Sequence, residues 1–298
     1  MKSCIGKIKS ATLFLVATAG LSLVALLGIG VSLTHPRQVQ IGPPPADLPA
    51  TSVAIPSASG STLSGWLLPG DRGAGAVLLM HGVRANRLAM LARARFLHTA
   101  GYAVLLFDFQ AHGESPGQRI TFGYLESFDA SAAVDFLRQQ IPDERIGAIG
   151  VSLGGVATVL SPTRLPVDAL ILESVYPTFE EAIADRLRLH LGQFGLLLTP
   201  LWVLQMQWQF GLLPQTLRPI DRIGNIRTPV FVIAGAEDQH TTIAESRRLF
   251  AAAPAPKEWW EIPGAAHVDL HRFTTRMYEE RVLAFFHLYL RGKDHRGG

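Results

Sequence analysis

The sequence Gly150-Val151-Ser152-Leu153-Gly154 lies where a short strand-like run, Arg145–Ile149, gives way to a helix-like run over residues 155–160. A strand, a tight turn and a helix around G-x-S-x-G is the arrangement that exposes a serine hydroxyl as a nucleophile. The flanking glycines suit this arrangement, because so sharp a turn strains the serine backbone and leaves no room for a neighbouring Cβ atom. A five-residue motif also occurs by chance, so its meaning depends on the partners that Ser152 finds elsewhere.

Two further residues follow Ser152 in the order that a serine hydrolase requires. A serine hydroxyl needs an adjacent base, and the base needs an orienting carboxylate, which in this arrangement precedes the histidine in the chain. Asp238 follows the predicted strand Val230–Ala234, and His267 follows the predicted strand Glu258–Ile262. Both lie on loops at the carboxyl ends of strands, so the sequence predicts a catalytic triad of Ser152, His267 and Asp238.

Other titratable residues compete for these roles. Glu173 also ends a predicted strand after Ser152 and is the alternative acid. Glu237 neighbours Asp238, but adjacent side chains point in different directions. The alternative for His267 is an ordinary loop histidine. The remaining candidates are expected to be structural or pocket-lining, or to begin a helix: His81, His112, His240 and His271.

An oxyanion hole is expected beside the nucleophile. The tetrahedral intermediate carries negative charge on oxygen and needs preorganised N–H donors, each worth about 3–4 kcal/mol. One donor is expected to be the backbone amide of Leu153, and the other should come from the loop after the predicted strand Ala76–Met80. That loop begins His81-Gly82-Val83, and the Val83 amide is the candidate.

Predicted strands and helices alternate from residue 57 onward. Several strands are continuous apolar runs, such as Val104–Phe107, which is typical of parallel strands buried on both faces. The strand predictions are Ser64–Leu68, Ala76–Met80, Ala103–Phe109, Arg145–Ile149, Ala169–Leu172, Val230–Ala234 and Glu258–Ile262. The helix predictions are Arg87–Thr99, Tyr124–Gln140, Leu153–Leu160, Thr242–Ala252 and Thr274–Leu290. This alternation predicts an α/β fold with a mostly parallel central sheet and helices on both faces.

The segment Ala11–Leu33 contains no charged residue. As a helix it would be about 34 Å long, enough to cross a hydrocarbon core of about 30 Å. A cleaved signal peptide is the alternative, but its apolar region would be shorter, and residues 31–36 offer a poor cleavage site. Three lysines precede the segment and a single arginine follows it closely, which places the N-terminus in the cytoplasm and the body outside. We therefore expect residues 1–34 to be a transmembrane anchor or an uncleaved signal.

The rest of the chain divides into a tether and one domain. Residues 35–56 are rich in proline and predict an extended tether, followed by a catalytic domain over residues 57–298. Within that domain, residues 178–220 interrupt the alternation, and Leu189–Leu217 contains no Asp, Glu, Lys or Arg. A second transmembrane helix here would separate Ser152 from the other two triad residues, so we expect a helical cap over the ligand-binding edge of the sheet. The large apolar side chains of the cap are candidate substrate-binding residues: Trp202, Trp208 and Phe194.

Composition excludes several functions. The single cysteine, Cys4, rules out an intramolecular disulfide, and it lies before the apolar segment, where a lipoprotein cysteine would not be. The formal net charge of +3 includes no basic stripe that would indicate nucleic acid. No Cys/His cluster, H-E-x-x-H motif or glycine-rich phosphate loop indicates a metal or a nucleotide, so no cofactor is expected.

With these residues in place, the sequence resembles the serine α/β-hydrolase superfamily, and in particular its lysophospholipase-like and serine-aminopeptidase-like branch. The resemblance covers about residues 60–290 and depends on five pieces: His81-Gly82, Asp108–Ser115, Gly150–Gly154, Asp238 and His267. The Asp108–Ser115 piece resembles the family marker D-x-x-x-H-G-x-S, which shapes the loop beside the pocket. Gln110 stands where an arginine is usual. Arg84 and Arg87 either pair with Asp108 to hold the oxyanion loop or lie on the solvated surface.

The resemblance implies acyl transfer to water. Ser152 would attack a carbonyl carbon, His267 would relay the proton, and Asp238 would fix the histidine tautomer. The apolar cap and the membrane segment favour a small or lipidic ester with an apolar acyl group. A peptidase or amidase, an acyltransferase and a non-catalytic binding protein on the same fold stay open as alternatives. The sequence specifies neither the acyl-chain length nor the oligomeric state.

Overall fold

The computed structural model describes residues 26–291 except Arg164, and also residues 17, 20, 21 and 24. Within these residues the strands are β1 Arg37–Gln38, β2 Thr51–Pro56, β3 Thr62–Leu68, β4 Ala76–Met80, β5 Ala103–Phe107, β6 His112–Gly113, β7 Ile146–Val151, β8 Ala169–Glu173, β9 Val230–Gly235 and β10 Lys257–Ile262. The α-helices are α1 over residues 26–34, α2 Leu91–Thr99, α3 Tyr124–Gln140, α4 Leu153–Val159, α5 Phe179–Leu191, α6 Thr199–Phe210, α7 Ile243–Ala252, α8 Leu270–Phe273 and α9 Thr275–Leu290. Short 3₁₀-helices cover Arg87–Met90, Gly192–Leu198, Pro214–Leu217, Pro219–Asp221 and Ile223–Asn225.

An eight-stranded sheet, in the order β10-β9-β8-β7-β4-β5-β3-β2, forms the centre of the molecule. The pairs from β10 to β5 are parallel, whereas β3 pairs antiparallel with both β5 and β2. Strands β4, β5, β8 and β9 are buried along their whole lengths, as their apolar sequences predict for parallel strands covered on both faces. The predicted α/β fold with a mostly parallel sheet is confirmed.

Helices cover the two faces of the sheet with separate apolar cores. Helices α3, α4 and α7 contribute buried side chains to one core, and helices α2 and α9 contribute to the other. In α9 the buried residues Tyr278, Val282 and Phe285 recur every three or four positions, which places them on one stripe that faces the sheet. Each fully buried apolar side chain of this kind stabilises the fold by about 1.5–3 kcal/mol relative to an exposed one.

Residues 178–220, where a cap is expected, form α5, α6 and the 3₁₀-helices around them; this segment is called the cap below. Among the described residues, Phe179–Phe210 is long and apolar enough to cross a membrane, with a mean hydropathy of 1.2. It does not form one straight helix, because Gly192, with φ +63°, ends α5, and Thr199-Pro200 begins α6. The two helices pack against each other through a small apolar cluster that includes Phe179, Ile183 and Trp202.

The segment before β2 differs from the expected tether. Strand β1 pairs in parallel with β6, and the Val39 N–H donates to the Gly113 carbonyl oxygen at 2.8 Å. Strand β2 is the edge strand of the main sheet, so the sheet begins at Thr51 and not after residue 57. The proline-rich sequence obscured this strand, because proline is tolerated at a sheet edge, where β2 ends at Pro56. Of the expected anchor segment, residues 11–16, 18, 19, 22, 23 and 25 lie outside the described residues, whereas residues 26–33 belong to α1, which packs on the cap.

Candidate active site

Ser152 occupies a strained turn between β7 and α4. Its backbone has φ +49° and ψ −109°, a conformation that few residues other than glycine adopt. A Cβ atom on Gly150 would lie 2.5 Å from the Gly155 amide nitrogen, and one on Gly154 would collide with the Met80 carbonyl oxygen. The Ser152 N–H donates to the Glu173 carbonyl oxygen at 2.8 Å, which fixes the turn to the neighbouring strand. The glycines of the motif are therefore required by backbone contacts, as the sequence predicted.

Asp238 and His267 form a hydrogen-bonded pair. His267 Nδ1 lies 2.8 Å from Asp238 Oδ2, and Asp238 Oδ1 accepts the backbone N–H groups of His240 and Thr241 at 2.8 and 3.0 Å. Burial of Asp238 opposes its ionisation, but the hydrogen bonds from His267 and from the backbone outweigh it, so the pKa of Asp238 lies below its usual value. An ionised Asp238 can accept a hydrogen bond from the Nδ1–H of His267, which would leave the Nε2 lone pair free to act as a base.

The strand order explains why distant parts of the chain meet here. Strands β7, β8, β9 and β10 are successive neighbours in the sheet, and all run in parallel. Ser152, Asp238 and His267 follow β7, β9 and β10, so their loops leave the same edge. The Ser174 N–H donates to the Ile233 carbonyl oxygen at 3.0 Å, which ties the end of β8 to β9 between the nucleophile and the acid.

The proposed oxyanion loop lies against the nucleophile. A Cβ atom built on Gly82 would be 3.7 Å from Ser152 Cβ, in ordinary contact. His81 holds this loop, since its Nδ1 lies 2.7 Å from the Gly82 carbonyl oxygen and its Nε2 accepts the Phe109 N–H at 3.1 Å. Burial, together with the nearby His112, lowers the pKa of His81 to about 3, so the ring is neutral and structural.

Of the two arginines expected near Asp108, only Arg87 pairs with it. The Arg87 guanidinium contacts both Asp108 and Glu114, and its backbone N–H donates to Asp108 Oδ1 at 2.6 Å. Arg84 instead donates its backbone N–H to His112 Nε2 at 3.0 Å. The pair of Arg87 and Asp108 is buried, so the charges hold the oxyanion loop from within the protein and do not lie on a solvated surface.

Gln110 keeps the neighbouring loop together without a charge. Its Nε2 donates to Glu126 Oε1 at 2.8 Å and to the Arg119 carbonyl oxygen at 2.9 Å. The departure from the usual arginine is therefore accommodated by neutral donors.

Glu173, the alternative acid, is committed to a structural network. Its carboxylate accepts from Arg93 Nη2 at 2.8 Å and from the Tyr278 hydroxyl. Arg93 also lies 2.8 Å from Asp269, whose side chain caps α8 directly after His267. This network joins β8, α2, α9 and the histidine loop. Arg93 belongs to none of the sequence motifs, although an arginine among the apolar positions of a buried helix is a signal for a buried partner.

An apolar cavity of about 740 Å³, counting its open mouth, adjoins the oxyanion loop. Both oxyanion candidates, Val83 and Leu153, line it. The cap contributes Phe179, Ala182, Ile183, Arg186, Trp202 and Met206; the other lining residues are Gly30, Leu33, Arg84, Phe122 and Tyr176. Gly30 and Leu33 are not expected in the cavity from the sequence, because both lie in the segment expected to cross a membrane.

The three expected substrate-binding residues are divided between the two sides of the cap. Trp202 lines the cavity and is only 8% exposed. Trp208 and Phe194 do not line it and are 85% and 82% exposed, so their assignment to the substrate pocket is corrected. Six residues along a helix correspond to a rotation of about 240°, which turns Trp208 away from the side that Trp202 occupies.

Within the described part of the chain, no group of three or more His, Cys, Asp or Glu side chains is arranged to hold a metal ion.

Sequence comparisons find relatives that span most of the chain. Residues 71–203 match the family described as serine aminopeptidase, S33. The uncharacterized protein Rv2307c of Mycobacterium tuberculosis is 29% identical over 279 residues, which cover 89% of this chain and 92% of that protein. The α/β hydrolase domain-containing protein WAV2 of Arabidopsis thaliana is 26% identical over 277 residues, which cover 87% of this chain and 84% of that protein.

Solved structures share the fold. The esterase Pf2001 of Pyrococcus furiosus aligns with a TM-score of 0.71 at 25% identity, covering 87% of this chain and 98% of the esterase. An esterase of Exiguobacterium antarcticum aligns with a TM-score of 0.58 at 16% identity, covering 79% of this chain and 99% of that chain. The architecture built around the serine turn is thus found in enzymes described as esterases.

Proposed function

We propose that this chain, whose sequence and fold resemble those of the serine α/β-hydrolase superfamily, cleaves carboxylic esters with an apolar acyl group through an acyl-enzyme. The observation that carries the proposal is the hydrogen bond between His267 and Asp238 on the sheet edge that also holds the strained Ser152. The apolar cavity lined by both oxyanion candidates supports an apolar substituent on the reacting carbonyl.

The proposed reaction uses the side chains of the chain itself. Ser152 Oγ attacks the ester carbonyl carbon while His267 Nε2 takes the hydroxyl proton, and the imidazolium that forms is stabilised by Asp238. The oxyanion of the tetrahedral intermediate accepts hydrogen bonds from the backbone N–H groups of Val83 and Leu153. The Leu153 amide is the first of α4, where helix amides have no intrahelical acceptor. The alcohol leaves with the proton from His267, and a water activated by the same base then hydrolyses the acyl-enzyme.

The charges around the cavity favour an ester over an amino-terminal peptide. Among the described residues that line it, the charged side chains are Arg84 and Arg186. A protonated amino group would be repelled by these guanidinium groups, and a carboxylate partner for it is not among the lining residues. An aminopeptidase activity is therefore the weaker candidate.

A covalent probe tests the nucleophile. The purified full chain in detergent should be labelled by a fluorophosphonate, and Ser152→Ala should abolish the labelling. Wild-type protein should also hydrolyse p-nitrophenyl esters, with octanoyl preferred over acetyl. Absence of labelling that depends on Ser152 would contradict the enzyme and support a binding protein, whereas a preference for acetyl would contradict only the apolar substrate.

We also propose that the chain is anchored in a membrane through residues 11–33, with the catalytic domain outside. The uncharged sequence supports an anchor, and the outer side of the cap carries further exposed apolar residues: Phe194, Leu197, Leu204 and Trp208. Residues 26–33 of this segment pack on the same cap, which leaves residues 11–25, about 22 Å long if helical, to enter the bilayer. An anchored chain would therefore place the exposed apolar side of the cap against the membrane surface. Protease added to intact cells should digest the catalytic domain; protection until the cells are lysed would contradict the outward orientation.

A further inference from the structure

Helix α1 contributes directly to the cavity beside the oxyanion loop. Gly30 and Leu33 are three residues apart, which places them on one side of the helix, and both line the cavity together with Trp202 and Met206 of α6. Leu33 also packs against the apolar cluster of the cap. The end of a segment whose sequence indicates a membrane anchor is therefore a wall of the candidate substrate site.

The contact between α1 and α6 depends on the absence of a side chain at Gly30. A Cβ atom there would lie 2.7 Å from Gln205 Nε2 and 2.8 Å from Gln205 Cδ. The Gln205 side chain is buried, and its Nε2 donates to the Leu27 carbonyl oxygen at 2.7 Å, so it cannot move aside without losing that bond. Gly28, two residues earlier, has open space at its Cβ position. Only the glycine that faces the cap is constrained.

The other end of α1 is fixed to the catalytic body. Arg84 Nη1 donates to the Ser32 carbonyl oxygen at 3.0 Å, and Arg84 directly follows the oxyanion candidate Val83. The Ile120 N–H donates to the Thr34 carbonyl oxygen at 2.8 Å. Helix α1 thus bridges the cap and the loop that would polarise the substrate carbonyl.

We propose that α1 is a specificity-determining wall of the substrate site, and that Leu33 limits the length of the acyl group that the cavity accepts. This proposal rests on the ester hydrolysis proposed above. Gly30 allows α1 to approach α6, and Leu33 then closes part of the space between the cap and the oxyanion loop. The substrate class that fits is an ester with a medium-length apolar acyl chain, because the surrounding side chains are mainly apolar.

Substitutions at Leu33 test the proposal, with Val31 as the matched control. Val31 is on the same helix and is 51% exposed. In the full chain in detergent, Leu33→Trp should lower the octanoyl-to-acetyl ratio of kcat/KM at least about tenfold. This is the discrimination that an apolar pocket typically makes between substrates that differ by one methylene group. Leu33→Ala should shift the preference toward decanoyl and longer esters. Val31→Trp should leave the chain-length profile unchanged.

Substitutions at Gly30 and Gly28 test the approach of α1 to α6 independently. Gly30→Val should displace Gln205 and change the chain-length profile, whereas Gly28→Val should keep the wild-type profile. Fluorophosphonate labelling of Ser152 in every variant separates the two proposals. Loss of labelling in the wild type would overturn the proposed function, while full labelling with one common profile in wild type, Leu33→Trp and Leu33→Ala would overturn the role of α1. If thermal melting shows that Leu33→Trp is unfolded, the profile of Leu33→Ala decides.

Discussion

The two sides of the site are built from different interactions. On the sheet edge, polar interactions hold the reacting residues and their loops. His267 is hydrogen-bonded to Asp238, and two buried ion pairs join Arg87 to Asp108 and Arg93 to Glu173. On the cap side, apolar contacts such as those of Trp202 and Met206 close the cavity, and the outer surface exposes further apolar side chains. Hydrogen bonds and ion pairs fix geometry within fractions of an ångström, whereas apolar packing fixes mainly volume.

This difference indicates that the two sides of the site have different roles. The sheet edge would determine the chemistry, since charge development needs groups that are already oriented. The cap and α1 would determine which acyl group fits, since discrimination by an apolar cavity depends on size. Substitutions on the sheet edge should therefore change the rate for all esters, and substitutions in the cap should change the ranking of esters.

The largest effect is expected from a comparison of the two buried acids. Asp238→Asn should lower kcat about 10³–10⁴-fold for short and long esters alike, because the amide no longer fixes the His267 tautomer or stabilises the imidazolium. Glu173→Gln should leave kcat within about tenfold and should instead lower thermal stability, because Arg93 loses its buried counter-charge.

Kinetics and thermal melting on the same preparations measure both outcomes. Circular dichroism should show Asp238→Asn folded at the assay temperature. If Glu173→Gln lost as much activity as Asp238→Asn while remaining folded, the assignment of the catalytic acid would have to be reversed.

The sheet edge was also the part that sequence could predict. The order of Ser152, Asp238 and His267 and their positions after apolar strands follow from local patterns that the fold preserves. The seven predicted strands agree with the observed strands within two residues at each end, and the five predicted helices agree within four residues. Most of these strands could be predicted because they are distinct apolar runs. The networks of Arg87 and Arg93 needed the structure, since a charged residue in a sequence does not reveal which distant partner it meets.

The cap side could be predicted only as a segment. An uncharged sequence such as Leu189–Leu217 indicates burial or membrane contact, but not which side of a helix faces the cavity. Trp208 and Phe194 were assigned to the pocket for this reason, and both are on the outer surface. Residues Gly30 and Leu33 could not be found at all, because their contact with α6 joins positions about 175 residues apart in a region without a local motif.

A smaller effect is expected from a comparison of the two faces of α6. Trp202→Ala should reduce kcat/KM for the octanoyl ester about tenfold more than for the acetyl ester, and should lower stability by about 3–5 kcal/mol, the cost of truncating a buried tryptophan. Trp208→Ala should change the octanoyl-to-acetyl ratio of kcat/KM less than about twofold and should leave stability nearly unchanged, because its side chain is exposed. The ester series and denaturant unfolding give both quantities. Equal losses in the two variants would mean that the faces do not differ in function.

The smallest effect concerns a polar contact between α5 of the cap and α7 of the body, in which one carboxyl group titrates near neutral pH. Burial and the adjacent Asp185 carboxyl of α5 raise the pKa of Glu245, in α7, to about 7.

The raised pKa makes stability depend on pH. Between pH 4.5, the usual pKa of a glutamate, and about pH 7, the folded protein binds more protons than the unfolded chain. This contact therefore stabilises the fold below pH 4.5, and the stabilisation is lost as the pH rises through 7. Glu245→Gln keeps an acceptor for the Thr242 N–H and cannot ionise, so its melting temperature should fall less than that of wild type between about pH 6 and 8, one unit on either side of the raised value. Part of the slope should persist, because burial also raises the pKa of Asp129 to about 6. Glu258→Gln, at an exposed position of β10, is the control and should follow wild type; a Glu245→Gln profile parallel to both would show that the contact of Glu245 with Asp185 does not contribute to the pH dependence of stability.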